Sequence, residues 1–310
     1  MILSRDLLVG KIIDIHTHSA GIALGQLLVG KYPYVQDICD LSDNIKKSGI
    51  HFAVSFPMVY PVYYNIRELK YNKKYIESGN CDYPYQLENI ALYSMIEEMK
   101  IKNIIPFPAV STNAKIDKQL QLLSELDSRY VVNGIKYHPK IERMNILSNE
   151  FESFVDFALE RDIPIMVHTD MSDEAHPMNV IQLAKRYPNL RICAAHCAHF
   201  DEDFWSVVEE YENIYVDNSP FLRICYDMNN NLMNTTNKII SDYSNPLEVL
   251  ETLFKRIPNQ LLWGTDTPYN RFVCDDNVIS YGDDVFLLEK SGLAINVSTN
   301  AIDFLLGKND

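Results

Sequence analysis

The sequence predicts an α/β protein closed into a (β/α)₈ barrel, and three observations carry that reading. Short apolar runs alternate with amphipathic helical stretches, eight such units fill the 310 residues, and side chains that suit a metal ion gather where the runs end. The runs are 12–16, 52–56, 104–107, 131–137, 163–168, 191–196, 214–217 and 261–264. Between them the hydrophobic period lengthens to that of a helix. Phe151, Phe154, Val155, Ala158 and Leu159 form one apolar stripe, and similar stripes run through 88–100, 116–126, 180–187, 204–211 and 247–254. Near-continuous apolar runs separated by helices indicate parallel strands covered on both faces. An open doubly wound sheet shares that alternation, but no glycine-rich phosphate loop follows any run, which weakens a dinucleotide-binding version. No repeat or linker divides the chain, so one domain is expected over 1–310, with a lid-like insertion at about 57–86.

Composition narrows the function. Apolar residues make up 47%, enough for a large core. Lys and Arg number 28 against 42 Asp and Glu, and 28 − 42 = −14 is a field that repels nucleic acid and anionic membrane surfaces. The start, MILSRDLLVGKIID, is interrupted by Arg5, Asp6 and Lys11, unlike a signal peptide, and no uncharged run could span a bilayer. A cytoplasmic protein with a small-molecule substrate is expected, with homo-oligomerisation left open. The six cysteines show no C-x-x-C pairing and read as reduced thiols.

Chemistry concentrates at the ends of the runs. The first closes on His16 and His18, the fifth on His168, the sixth on His196 and the eighth on Asp266. Side chains alternate along a strand, so His16 and His18 project to one side and can share an ion, with Thr17 turned away. A closed barrel brings carboxyl ends of strands to one mouth, where the other candidates complete a site. Neutral imidazoles with one carboxylate suit a divalent ion such as zinc. An ion with an open position lowers the pKa of bound water to about 7 and polarises a carbonyl, and Asp266 beside it would carry the water's proton to a leaving group. Taken alone, Asp266 in Gly-Thr-Asp-Thr-Pro also reads as a turn residue, and any single histidine as an ordinary hydrogen-bonded one.

The motifs IDIHTH, NGIKYHP, PIMVHT, AAHC, NIYVDNS, LLWGTDTP and STNAIDFLLG, in that order, resemble the amidohydrolase superfamily and within it the amidohydrolase-2 branch. The resemblance covers nearly the whole chain. It implies a distorted (β/α)₈ TIM barrel, one or two divalent metals, and hydrolysis or non-oxidative decarboxylation. By the same resemblance His16, His18, His168 and Asp266 would be metal ligands, Asp266 also the proton carrier, and His196 a catalytic residue or a ligand to a second ion. Lys136 stands where two-metal members carry a bridging carbamylated lysine, or it remains a free amine that pairs with substrate or with Asp266. The chain departs from the family after His196, where Cys197-Ala-His199-Phe replaces a small or glycine-rich turn.

Substrate contacts are read at Tyr137, His138 and Arg223. His138 points the same way as Lys136, and the fork of Arg223 matches a carboxylate. The competing reading of Arg223 is a surface ion pair. His176, in SDEAHP, reads as a structural residue at a helix start. Residues 60–85 hold seven tyrosines with Arg67, Lys70, Lys73 and Lys74, either a cover for an anionic or ring-bearing substrate or an amphipathic helix docked by its tyrosines. The expected activity is metal-dependent hydrolysis of an ester, lactone or amide. Decarboxylation of an aromatic or unsaturated acid is the first alternative, and a metal-binding protein without turnover the second.

Overall fold

A computed structural model describes residues 1–19, 36–57, 61–270, 273–274 and 277–308. Nine buried strands line up in parallel: β1 (Ile13–His18), β2 (Phe52–Phe56), β3 (Ile104–Pro106), β4 (Ala109–Val110), β5 (Ile135–Tyr137), β6 (Ile165–Val167), β7 (Ile192–Ala194), β8 (Ile214–Asp217) and β9 (Leu261–Leu262). The ladder β1-β2-β3 and the ladder β4 to β9 meet at two seams. At the first, β3 and β4 are halves of one segment broken at Phe107-Pro108. Phe107 N donates to Ser55 O of β2 (2.9 Å), whereas Lys136 N of β5 donates to Pro108 O (2.9 Å). Proline has no N–H, so the ladder is interrupted there. At the second seam Ile15 N donates to Trp263 O (3.0 Å), Asp266 N to His16 O (2.7 Å) and His18 N to Thr267 O (2.7 Å). Together the two seams close a ring of eight rungs.

The β1–β2 register contains the detail on which the site depends. Ile13 pairs with Phe52 and His18 with Phe56, so five steps on β1 oppose four on β2, with the irregularity between Asp14 and Thr17. This is a bulge, which reverses the parity of the strand. Ile13 and Ile15 fill the barrel with Val54, Phe56, Ile105, Met166, Cys193, Tyr215 and Leu262, and His16 and His18 still reach the mouth. The helix Ala294–Leu306 stops the opposite end with Ala301, Phe304 and Leu305. Outside the ring, the helices Ile116–Tyr130, Asn149–Glu160, Pro177–Arg186 and Pro246–Arg256 pack their apolar faces on Ile135, Ile165, Ile192, Ile214 and Leu261.

The stripe expected as one helix over 204–211 is instead two short turns, Glu202–Trp205 and Val208–Glu210, divided at Val207, whose φ of −124° lies outside the helical range. In the tyrosine-rich segment Tyr63, Tyr64 and Leu69 form a satellite cluster with Tyr75, and Tyr83 and Tyr85 are buried. Tyr60 lies outside the described residues. Cys39, Cys81, Cys193, Cys197 and Cys225 are free thiols; the side chain of Cys274 lies outside the described residues. Among the described residues, no helix is long and apolar enough to cross a membrane.

Candidate metal centre

Four strand ends build the site. His16 and His18 enter from β1, and Asp266 from the turn after β9. That residue adopts φ 55°, a left-handed conformation that aspartate tolerates better than most residues. Its Oδ1 lies 3.5 Å from His16 Nε2 and 3.2 Å from His18 Nε2. The oxygen is buried and accepts no hydrogen bond. A buried carboxylate oxygen facing two imidazole nitrogens without a proton to hold it is what a cation site requires.

The imidazoles are set for that cation by their other nitrogens. His16 Nδ1 donates to Asp217 Oδ2 (2.9 Å), His18 Nδ1 to Pro57 O (3.1 Å) and His196 Nδ1 to Ser219 O (2.7 Å). Each bond places the proton on Nδ1 and leaves Nε2 unprotonated, the nitrogen that can face a metal or accept a hydrogen bond. The remaining ring, His168, points Nδ1 at His196 Nε2 at 2.8 Å. His168 is the donor, since His196 already donates from Nδ1. Ligand atoms of His16, His196 and Asp266 lie within 4.8 Å of one another. The compact trio therefore includes His196, which the sequence reading placed beside the ligands, and reaches His168 through it.

Burial lowers the pKa of His16, His138, His168 and His196 well below the usual histidine range, and neighbouring positive charge adds to the effect. Neutral imidazole is the ligating form. Lys136 occupies the interior layer with Met166 and Cys193, which are its neighbours in register across β5, β6 and β7. Its Nζ lies 3.2 Å from His16 Nε2 and 4.7 Å from the centre of the Phe56 ring. Burial lowers its pKa to about 8.

The mouth opens into a cavity of about 550 Å³. Lys136, His138, His168, His196, His199, Arg223 and Asp266 contribute polar atoms to it, and Met171, Pro220, Ile224, Leu232 and Met233 an apolar wall. His138 stacks on His168, ring centroids 3.7 Å apart, and accepts from Ile141 N at Nδ1 (3.4 Å), which leaves the ring proton on Nε2. Arg223 lines the cavity and donates from Nε to Asp227 Oδ2 (2.7 Å), an ion pair between residues four apart on the helix Phe221–Asn229. Lys140 pairs with Asp170 across the rim. Burial pulls Asp170 upward, but its bonds to His168, Lys140 and Ser172 outweigh that and hold it well below the usual carboxylate range. Burial lowers His199 to about 4.

Tyr137 corrects the sequence reading. It shares its layer with Val167 and Ala194, packs on Phe151 outside the ring, and its hydroxyl donates to Met144 O (2.9 Å). Alternation along β5 sends Lys136 and His138 inward and Tyr137 outward. His176 caps the helix Pro177–Arg186, as expected. Sequence reasoning missed Asp217, whose Oδ1 also accepts from Ser219 N (2.9 Å) and Ser219 Oγ (2.6 Å). The one available signal was a charged residue closing the apolar run NIYVD. It also missed Asp14, which accepts from Thr265 N (3.1 Å), Thr265 Oγ1 (2.8 Å) and Tyr281 OH (3.0 Å) and ties β1 to the turn that carries Asp266.

Residues 111–305 match the family profile described as Amidohydrolase. Among solved structures, the chain is similar to a probable 2-pyrone-4,6-dicarboxylic acid hydrolase from Acinetobacter baumannii (12% identity, 95% of this chain and 99% of that one, TM-score 0.59). It is similar to 5-carboxyvanillate decarboxylase from Novosphingobium aromaticivorans complexed with manganese and 4-hydroxy-3-methoxy-5-nitrobenzoic acid (12%, 98% and 99%, 0.63). A dihydroxybenzoic acid decarboxylase from a Polaromonas species, with manganese and 2-nitroresorcinol, gives 12%, 96% and 98%, and 0.64. No curated protein sequence matches the chain.

Proposed function

The chain belongs to the amidohydrolase family, and from that premise we propose that it is a metal-dependent hydrolase that opens an ester, lactone or amide bond of a small anionic substrate. The ion would be held by His16, His18 and Asp266 together with an imidazole of the His168–His196 pair. Three nitrogens to one oxygen favour zinc, with manganese, present in two of the three structures named above, the competitor. When bound, the ion supplies Lewis acidity, which polarises a substrate oxygen and acidifies a water to a pKa near 7.

The chain's own groups do the rest. Asp266 accepts the proton of the attacking water and returns it to the leaving group as the acyl bond breaks, so no proton is gained or lost overall. Asp217 holds His16 in one tautomer and orientation. Lys136, kept as a free amine, and His138, through Nε2–H, donate to oxygens of the substrate. Arg223 meets its carboxylate at the outer edge of the cavity. The observation that carries this reading is the buried Asp266 oxygen between two imidazole nitrogens, without a hydrogen bond.

A second reading, non-oxidative decarboxylation of an aromatic acid, is favoured by the apolar wall of Met171, Ile224 and Met233, which suits a ring. There Asp266 would protonate carbon as the carbon–carboxylate bond breaks. The deciding experiment is metal analysis followed by a screen of 2-pyrone-4,6-dicarboxylate, 5-carboxyvanillate, 2,6-dihydroxybenzoate and simple esters and lactones, with acid production and carbon dioxide release monitored separately. Acid without carbon dioxide is expected. Carbon dioxide release would transfer the assignment to the second reading, and no turnover by metal-loaded protein would overturn both.

A further inference from the structure

The turn after β7 is strained along its whole length. His196, Cys197, Ala198, His199 and Phe200 have φ of 62°, 53°, 44°, 51° and 55°. Five successive left-handed residues, none of them glycine, crowd each Cβ against the following carbonyl. Such a run persists only where its surroundings hold it.

The surroundings do so one carbonyl at a time. Cys197 O accepts from Trp205 Nε1 (2.9 Å), Ala198 O from Asp201 N (3.1 Å), His199 O from Thr235 Oγ1 (2.8 Å) and Phe200 O from Ile239 N (3.0 Å). Two of these four donors belong to a strap after the helix Phe221–Asn229, which also pairs Lys238 with Asp201 and accepts from Glu202 N at Asn237 O (2.9 Å). The same strap contributes Leu232, Met233 and Asn234 to the cavity wall, and the turn contributes His196 and His199.

We propose that Thr235 is a positioning residue for the metal centre: its hydroxyl pins the left-handed turn and thereby fixes where His196 meets His168 and the candidate ion. The backbone hydrogen bond of Ile239 and the indole of Trp205 share the load, but Thr235 is the side chain that bonds the carbonyl of His199. Disturbing it displaces one member of the imidazole pair whether that ring ligates the ion or holds the ring that does.

The proposal rests on the metal-site reading above, and the test separates the two. Apo-protein is titrated with Co²⁺, which reports ligand geometry through its visible absorption. Thr235→Val is expected to bind Co²⁺ at least 10-fold more weakly than the parent, with a shifted absorption band. Thr235→Ser, which keeps the hydroxyl, should restore both, and adding Ala198→Gly to Thr235→Val should recover most of the affinity, because glycine accepts positive φ without strain. Thr235→Ala serves in place of valine if that variant does not fold. Parental affinity and spectrum in Thr235→Val, or no recovery with serine, overturns the positioning role alone. Failure of the parent protein to bind Co²⁺ overturns the metal site and the proposal together.

Discussion

His16 Nδ1 donates to Asp217 Oδ2 at 2.9 Å, a bond between β1 and β8 in which both side chains are fully buried. It fixes the tautomer that points Nε2 at Asp266. Replacing Asp217 by Asn leaves the shape but allows the ring to turn. Metal affinity should fall by about 10- to 100-fold, measured by competition with a chelating dye. Unchanged affinity would remove Asp217 from the account.

Gly264 packs under His16. A Cβ at this position would come within 2.8 Å of His16 Cβ and 3.3 Å of Ser219 Cβ, two groups fixed by buried bonds. Gly264→Ala is expected to destabilise the fold by roughly 1–3 kcal/mol through overpacking and to weaken metal binding at the same time. Thermal denaturation with and without added metal checks both. A variant that loses stability but binds metal as the parent does would show that His16 can yield without consequence.

Lys136 is buried beside His16, with its pKa lowered to about 8 by that burial. Read as a free amine that contacts substrate, it predicts that Lys136→Met lowers kcat/KM by about 100-fold or more while one ion per chain is retained. The intact mass of the parent should show an unmodified lysine, and bicarbonate should not raise activity. Bicarbonate-dependent activity with two ions per chain would establish the bridging carbamate instead.

Glu142 lies away from the centre, buried, accepting from Asn113 Nδ2 (2.7 Å) and Ser111 Oγ. Burial raises its pKa from 4.5 to about 7, against the opposing effect of those bonds. The folded state thus holds this proton more tightly than the unfolded chain. The stability it contributes is complete below about pH 4.5 and lost as pH rises through about 7. Glu142→Gln should flatten part of the fall in melting temperature between pH 4.5 and pH 8. Buried Glu88 and Asp14, also raised to about 7, and Asp284, raised to about 8, keep part of the remaining slope. Parallel curves for parent and variant would contradict the assignment.

The strand positions were legible because each is short, apolar and separated from the next by a helical period. The convergence of His16, His18, His168, His196 and Asp266 was legible because all five close such runs. The β1 bulge was not. IDIHTH carries no glycine or proline to mark it, and only the pairing with Phe52 and Phe56 exposes the change of parity. Tyr137 was misplaced although the alternation that turns Lys136 and His138 to one side of the strand turns Tyr137 to the other. The His168–His196 contact and the capture of the His199 and Phe200 carbonyls depend on partners 28 or more residues away, and that of Cys197 on an indole eight residues on, and no local pattern encodes them.

The measurement that bears most directly on the central claim is the metal stoichiometry and dissociation constant of the parent protein beside His18→Ala and Asp266→Ala. The account predicts one divalent ion per chain in the parent and at least 100-fold weaker binding in each variant, since each removes a group that faces the ion. A parent that binds no divalent ion, or variants that bind it undiminished, would contradict it.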